Sequence, residues 1–220
     1  MARTSRRSPE SAAAPAARVG RPRRSADQAS EMRRRVIEAA RCLFAEHGFE
    51  AVSMRRIAAA SGCAPMTLYG YFRSKNEILR YIWEAFFDEV FERVNRAVAA
   101  SASPVGRLRS ASATYLGYWI EHPDRYRMVY LNQDEAADGE GYYVDASPVL
   151  ERFEIFRELI VAAQAEGRAW SGDVQVLAET LICGLHGIAH SRVTIPEYPW
   201  GPLERQLEQM LRVVLLPDPN

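Results

Sequence analysis

The segment from Val52 to Lys75, VSMRRIAAASGCAPMTLYGYFRSK, constrains the fold of this chain more than any other stretch. Ser53 can cap a helix whose fourth residue is Ile57, and Val52 ahead of the cap can pack on Ile57 as a hydrophobic staple. Small side chains at Ala58, Ala60 and Ser61 allow a second helix to cross closely. Gly62 ends the first helix, because glycine adopts positive φ without a Cβ clash. Pro65 reopens the chain as helix, since its missing N–H costs nothing at a first helical position. Leu68 and Phe72, four apart, form the inward stripe of this second helix and leave Met66, Thr67, Tyr69, Gly70 and Tyr71 outside. Ser74 and Glu77 form a Ser-x-x-Glu capping box that opens a further helix. Two short helices about a glycine turn predict a helix-turn-helix, a unit that seats its second helix in the DNA major groove.

At these residues the chain resembles the TetR family of bacterial transcriptional regulators. The resemblance runs from about Arg35 to Leu79 and rests on Ile37, Ala40, Leu43-Phe44, Gly48-Phe49, Ser53-Met54-Arg55, Ile57-Ala58, Gly62, Thr67-Leu68-Tyr69, Tyr71-Phe72, Ser74-Lys75 and Leu79, in register. Ala64 stands where that family has a serine cap, and Met66 where it has a small residue, so an operator does not carry over from relatives. The C-terminal region resembles a TetR subfamily with a Trp-His-Gly signature, through Glu121-His122-Pro123-Asp124-Arg125-Tyr126 and Leu185-His186-Gly187; the preceding tryptophan is absent. The resemblance implies an all-α fold with a helix-turn-helix head and a larger regulatory body. It further implies a body that encloses a small molecule and a homodimer interface built from the last two helices.

Charge is distributed accordingly. The formal net charge is zero, yet residues 1–80 carry 16 Arg and Lys against 7 Asp and Glu, while residues 81–220 carry 12 against 21. A basic head on an acidic body suits a DNA-binding module joined to a regulatory domain, because only the head needs to meet phosphates. Three widely spaced cysteines, Cys42, Cys63 and Cys183, form no Cys-x-x-Cys, which argues against a disulfide framework and fits a reducing cytoplasm. The longest uncharged run, Ile57 to Phe72, is 16 residues and contains Gly, Pro, Ser and Thr, so no membrane span is expected. No signal peptide is apparent, because no apolar core follows the N-terminal arginines.

The organisation expected is a disordered basic arm over residues 1–24, a DNA-binding domain over 25–73 and a ligand-binding and dimerisation domain over 74–220. The arm is either an inert tail or a source of phosphate and minor-groove contacts. Val36, Ile37, Ala40, Leu43 and Phe44 recur at helical spacing and predict a first helix from about Asp27 to His47. The fourth helix is expected to reach about Ala100, apolar on more than one face and so in contact with head and body together. Ser103-Pro104, Pro123, Ser147-Pro148, Asp173 and Gly201-Pro202 open further helices, the last from Leu203 to Leu216, and residues 133–146 read as a loop. No segment alternates with period two, and about nine helices are expected.

The expected DNA surface comprises Ser53, Arg55, Arg56, Ala64, Pro65, Met66, Thr67, Tyr69, Tyr71 and Lys75. No ionic side chain lies between Arg56 and Arg73, so the second helix cannot supply an arginine to guanine from within itself. Thr67 can meet base edge or phosphate, Met66 and Ala64 can meet thymine methyls, and Tyr69 and Tyr71 can donate to phosphates, unless the two tyrosines pack the head on the body. Arg55, Arg56, Arg73 and Lys75 would hold the backbone, Arg55 being the best placed for a base. Lys75 is the only lysine of the chain, which points to a compact ammonium on a phosphate; a solvated surface lysine is the alternative.

A second cluster, Trp83, Phe86, Phe87, Tyr115, Tyr118, Trp119, His122, Tyr126 and Phe153, with Cys183 and His186, is either core or the wall of a pocket for an apolar or aromatic effector. Cys183, His186 and His190 share one helix face at i, i+3 and i+7, but one helix rarely closes a metal site, so no metal and no cofactor are expected. The function these observations predict is a cytoplasmic, homodimeric, ligand-released repressor of a palindromic operator. The alternatives are a ligand-independent DNA binder and an all-α enzyme using His122, His186 or His190 as base, for which no nucleophile or paired carboxylate is evident.

Overall fold

The computed structural model describes residues 26–132 and 142–217; the expected basic arm and most of the expected loop lie outside them. Among the described residues there are ten α-helices and no β-strand. They are α1 (Ala26–His47), α2 (Met54–Ala60), α3 (Pro65–Tyr69), α4 (Lys75–Ala99), α5 (Pro104–Glu121), α6 (Pro123–Tyr130), α7 (Tyr143–Ala146), α8 (Val149–Ala165), α9 (Val174–Thr194) and α10 (Leu203–Leu211). Among the described residues no helix is long and apolar enough to cross a membrane.

The head is α1 to α3, closed over Val36, Ala40, Phe44, Phe49, Val52, Ile57, Ala58, Leu68 and Phe72, all buried. Its turns follow local chemistry: Ser53 Oγ accepts from Arg56 N at 3.3 Å, and Gly62 takes φ +68°. Arg35 of α1 donates to the Ser61 carbonyl at 2.5 Å, tying the supporting helix to the end of α2. Ala64 caps α3 without a side-chain bond, as its methyl dictates, and Pro65 is the first helical residue. Ser74 Oγ accepts from Glu77 N at 3.1 Å, but the Glu77 carboxylate accepts from Arg73 N at 2.6 Å, so the return half of the expected box lands one residue early.

Helix α4 joins head to body. Ile78, Leu79, Ile82, Trp83, Phe86, Phe87, Val90, Phe91 and Val94 are buried around most of its circumference, and it packs on α1, α5, α6 and α8. On its outer side Arg152 of α8 donates to Glu84 at 2.9 Å and to Asp88 at 2.7 Å, while Ser147 also bonds Glu84.

Three boundaries differ from expectation. Tyr143–Ala146, within the stretch read as loop, is the single turn α7: the Tyr143 ring is buried edge-on against Trp83, centroids 5.2 Å apart, and Asp145 accepts from Tyr142 N at 2.9 Å. Pro148 and Pro202 occupy the cap positions of α8 and α10 rather than their first turns, and Ser147 Oγ instead accepts from Val149 N. The last helix stops at Leu211. Beyond it a turn over residues 212–214 leads into a short segment that pairs with the stretch ahead of α9, through Trp170 N to Val214 O at 2.9 Å and Leu216 N to Arg168 O at 3.0 Å, burying Val214 and Leu215.

Candidate DNA interface and body cavity

Helix α3 buries Leu68 completely and turns its other side chains outward. Met66 is 84% exposed and Tyr69 half exposed; Ala64 and Pro65 are exposed and Thr67 is half-buried at the edge. On α2, Arg55 and Arg56 are exposed beside the exposed cap Ser53, whose hydroxyl proton remains available to a partner while its oxygen serves the cap. Tyr71 is half-buried at the end of the motif. Of the ten expected residues, Ser53, Arg55, Arg56, Ala64, Pro65, Met66 and Tyr69 are exposed, and Thr67 and Tyr71 are half-buried.

Lys75 is placed differently. Its Nζ donates to the Phe49 carbonyl at 2.8 Å and lies 4.0 Å from the centre of the Phe49 ring, with Glu50 4.0 Å away. It therefore ties the start of α4 to the turn after α1, a third role beside phosphate grip and solvated lysine.

The structure adds two cations that spacing alone does not reveal. Arg33 of α1 donates to Tyr81 of α4 at 3.0 Å and stacks over Phe72 and Tyr81. With Arg73 and Arg80 it rims a recess of about 450 Å³ whose other walls include Tyr69 and Tyr71. A larger, open groove of about 860 Å³ runs beside α1; the three arginines on it are all engaged, Arg33 by Tyr81, Arg34 by Glu31 and Arg35 by Ser61.

In the body the expected aromatic cluster divides. Trp83, Phe87, Phe153 and His186 line a cavity of about 360 Å³, together with Tyr130, Asn132, Tyr142, Tyr143 and aliphatic side chains of α6 to α8. Tyr115 lies one layer behind, fully buried, its hydroxyl 2.9 Å from Tyr130 and 2.6 Å from His186 Nε2, with its ring stacked on the imidazole. Burial pushes the phenols of Tyr115 and Tyr130 upward and holds His186 down at about 4.

Phe86, Tyr118 and His122 gather instead around Arg125, which donates to Glu89 at 2.6 Å and Tyr118 at 2.7 Å and lies over the Phe86 ring. Burial alone would raise the Glu89 carboxyl, but Arg125 and Arg93 bring it below its ordinary range. His122 is lowered by burial and then by the same two guanidiniums. Trp119 is a core residue with no exposure, and Tyr126 is buried against Tyr130, centroids 4.8 Å apart. Cys183 is exposed on α9 and His190 is exposed beside Tyr126, so the expected i, i+3, i+7 face does not converge. Among the described residues no three His, Cys, Asp or Glu side chains are grouped to hold a metal.

A helix-turn-helix head fused through a long helix to an all-helical body with an apolar cavity defines the class: a helix-turn-helix transcriptional regulator. The chain belongs to the TetR family: residues 36–82 match the model of bacterial regulatory proteins of the tetR family, and residues 108–214 match the tetracyclin repressor-like C-terminal domain.

Among curated proteins it is similar to the HTH-type transcriptional repressor KstR2 of Mycobacterium tuberculosis, 34% identical over 113 residues covering 51% of this chain and 55% of that one. The KstR2 of Mycolicibacterium smegmatis is 29% identical over 109 residues, 50% and 52% of the two chains. The chain thus spans about half the length of the curated relatives it matches. Among solved structures, a tetR family regulator from Shewanella sp. PV-4 superposes with a TM-score of 0.66 at 18% identity, covering 84% of this chain and 99% of that one. A FadR regulator from Bacillus subtilis in complex with stearoyl-CoA gives 0.66 at 17% identity, over 82% and 96%. At such identities these structures share the fold.

Proposed function

We propose that the chain is a cytoplasmic, homodimeric repressor that binds a two-fold-related operator through α3 and leaves it when a small apolar molecule fills the body cavity. Its domains on this reading are a head over residues 25–73, which reads DNA, and a body over 74–220, which senses and dimerises. The observation that carries the reading is the outer face of α3, where Met66 is 84% exposed and Tyr69 half exposed above a fully buried Leu68. A large apolar side chain left in water at the apex of a helix-turn-helix suits contact with thymine methyls. Thr67, Ala64 and Arg55 complete the readout; Ser53, Arg56, Tyr69, Tyr71, Arg73 and Lys75 hold phosphates, and Pro65 sets the start of the helix.

Two heads are required, because a five-residue helix makes too few contacts alone, and a two-fold places the pair one DNA turn apart. An open groove on α9 and α10, lined by Ile188, Met210 and Val213 among others, supports these helices as the dimer face. The presence of a cavity favours a ligand-responsive regulator over a ligand-independent binder, and the shared fold of a FadR regulator crystallised in complex with stearoyl-CoA supports a small-molecule effector. Helix α4 spans both sites, from the Ser74 cap to Trp83 and Phe87 on the cavity wall, so a ligand that prefers one pose of α4 sets the spacing of the heads.

Selection of random duplexes by the purified full chain, followed by gel shifts across a salt series, tests the reading. A palindromic consensus is expected, with Met66→Ala and Thr67→Ala altering base preference and Tyr69→Phe weakening all sequences alike. Selected pools without a consensus, or Met66→Ala with unchanged preference, refute it.

A further inference from the structure

We infer that the effector is an uncharged, predominantly apolar molecule carrying one hydrogen-bonding group, a carbonyl or hydroxyl, that is read by the Tyr130–Tyr115–His186 chain. The inference rests on the body cavity being the effector site and specifies what that site accepts.

Among the described residues, no Asp, Glu, Lys or Arg lines the cavity. A carboxylate, phosphate or ammonium held there would lose its hydration without gaining a counter-charge. Polar groups on the wall are few, and several are committed. Trp83 Nε1 donates to the Met128 carbonyl at 2.9 Å, and Asn132 Nδ2 donates to the carbonyls of Met128 at 2.9 Å and Arg127 at 3.2 Å. The Tyr143 hydroxyl is turned toward Ser147 and Glu84. Tyr142 is 60% exposed, and apart from the Asn132 side-chain oxygen this leaves, among the described residues, two polar groups on the wall, Tyr130 and His186.

Those two are joined by Tyr115, whose hydroxyl lies 2.9 Å from one and 2.6 Å from the other. Tyr115 has a single proton, so two arrangements exist. In the first, His186 Nε2–H donates to Tyr115, Tyr115 donates to Tyr130, and the Tyr130 hydroxyl proton faces a ligand carbonyl. In the second, the protons run the other way: Tyr130 donates to Tyr115, Tyr115 donates to a bare Nε2, and the Tyr130 oxygen accepts from a ligand hydroxyl. Because burial keeps the imidazole neutral at physiological pH, the chain carries no charge in either arrangement. The rings of Trp83, Phe87 and Phe153 face the remainder of the ligand. At about 30 Å³ for one water, the cavity holds roughly a dozen non-hydrogen atoms.

The test is calorimetric titration of the full chain with four probes of one size: acetylnaphthalene, naphthylethanol, ethylnaphthalene and naphthoate. The ketone and the alcohol are expected to bind about tenfold more tightly than the hydrocarbon, and the naphthoate more weakly than the hydrocarbon. Tyr130→Phe should abolish the advantage of the ketone while leaving the hydrocarbon unchanged, which also reports that the variant is folded. Tyr115→Phe, which breaks the chain one link back, should reduce the same advantage. Naphthoate binding as tightly as the ketone, or a ketone advantage that survives Tyr130→Phe, overturns the inference and leaves the cavity as effector site. No binding by any probe overturns the cavity itself, and the inference with it.

Discussion

Replacing Lys75 separates two roles that one ammonium can hold together. Its Nζ donates to the Phe49 carbonyl at 2.8 Å and sits 4.0 Å from the Phe49 ring centre, with the side chain 22% exposed. A charged donor on a partly buried carbonyl contributes about 1.5–3 kcal/mol, and the cation–π contact adds about 0.5–1 kcal/mol. The Glu50 pair adds little, because that carboxylate is 90% exposed and screened. Since water can reach the abandoned carbonyl in part, Lys75→Ala should destabilise the head by about 2 kcal/mol. Lys75→Met, which keeps the methylenes over Phe49, should recover only a small part of that loss. Urea denaturation followed by far-ultraviolet circular dichroism measures it, and an unchanged midpoint would refute the tether. Only one of the three ammonium donors is directed at Phe49, so a phosphate can engage another. If it does, the slope of log affinity against log salt falls by about 0.9 for each head, close to 2 for a dimer. A variant with lost stability and an intact slope would leave Lys75 as a structural tether alone.

Further outcomes follow from single observations. Gly62→Ala forces a side chain onto φ +68° and sets its Cβ 2.9 Å from the Arg35 guanidinium, so the head should lose about 1–2 kcal/mol and operator affinity should drop; thermal melting with gel shifts checks both. His186 is held down at about 4 against an ordinary value near 6.5, so the unfolded chain takes the proton first and stability falls as pH drops through that window. The loss attributable to this group is about 2 kcal/mol by pH 5, and His186→Gln should flatten urea midpoints between pH 7 and 5; an equally steep profile in the variant would refute the assignment. Arg152→Met removes the bonds from α8 to Glu84 and Asp88 and should cost about 1–2 kcal/mol, read as a lower melting temperature; an unchanged one would show these bonds to be dispensable.

The parts of this molecule that could be read in advance are those decided within a few residues of chain. The Ser53 cap, the positive φ at Gly62, Pro65 at a first helical position and the Ser74 cap are all short-range, and all stand where the sequence places them. Even the bare cap at Ala64 was legible, because a methyl cannot accept a hydrogen bond. Once contact spans grow, the signal fades. Arg33 reaches Tyr81 across 48 positions, Tyr115 reaches His186 across 71, and Lys75 reaches back 26 to Phe49. Residue type restricts such partners without selecting among them. Thus being the only lysine singles Lys75 out in the sequence, while the partner the structure gives it, a carbonyl of its own chain, is set by packing.

Helix α5 shows the same limit at the cavity. Tyr115, Tyr118 and Trp119 sit at i, i+3 and i+4, share an aromatic character and are all buried, so periodicity assigns them one fate. Their polar atoms decide otherwise. The Tyr115 hydroxyl finds Tyr130 and His186 behind the cavity wall, the Tyr118 hydroxyl receives Arg125 at the α4–α6 contact, and Trp119 packs into the core. A buried phenol needs a partner, and which partner it finds depends on helices far along the chain. The division of one aromatic cluster into core, ion-pair support and cavity wall is therefore a property of packing, and composition could not have made it.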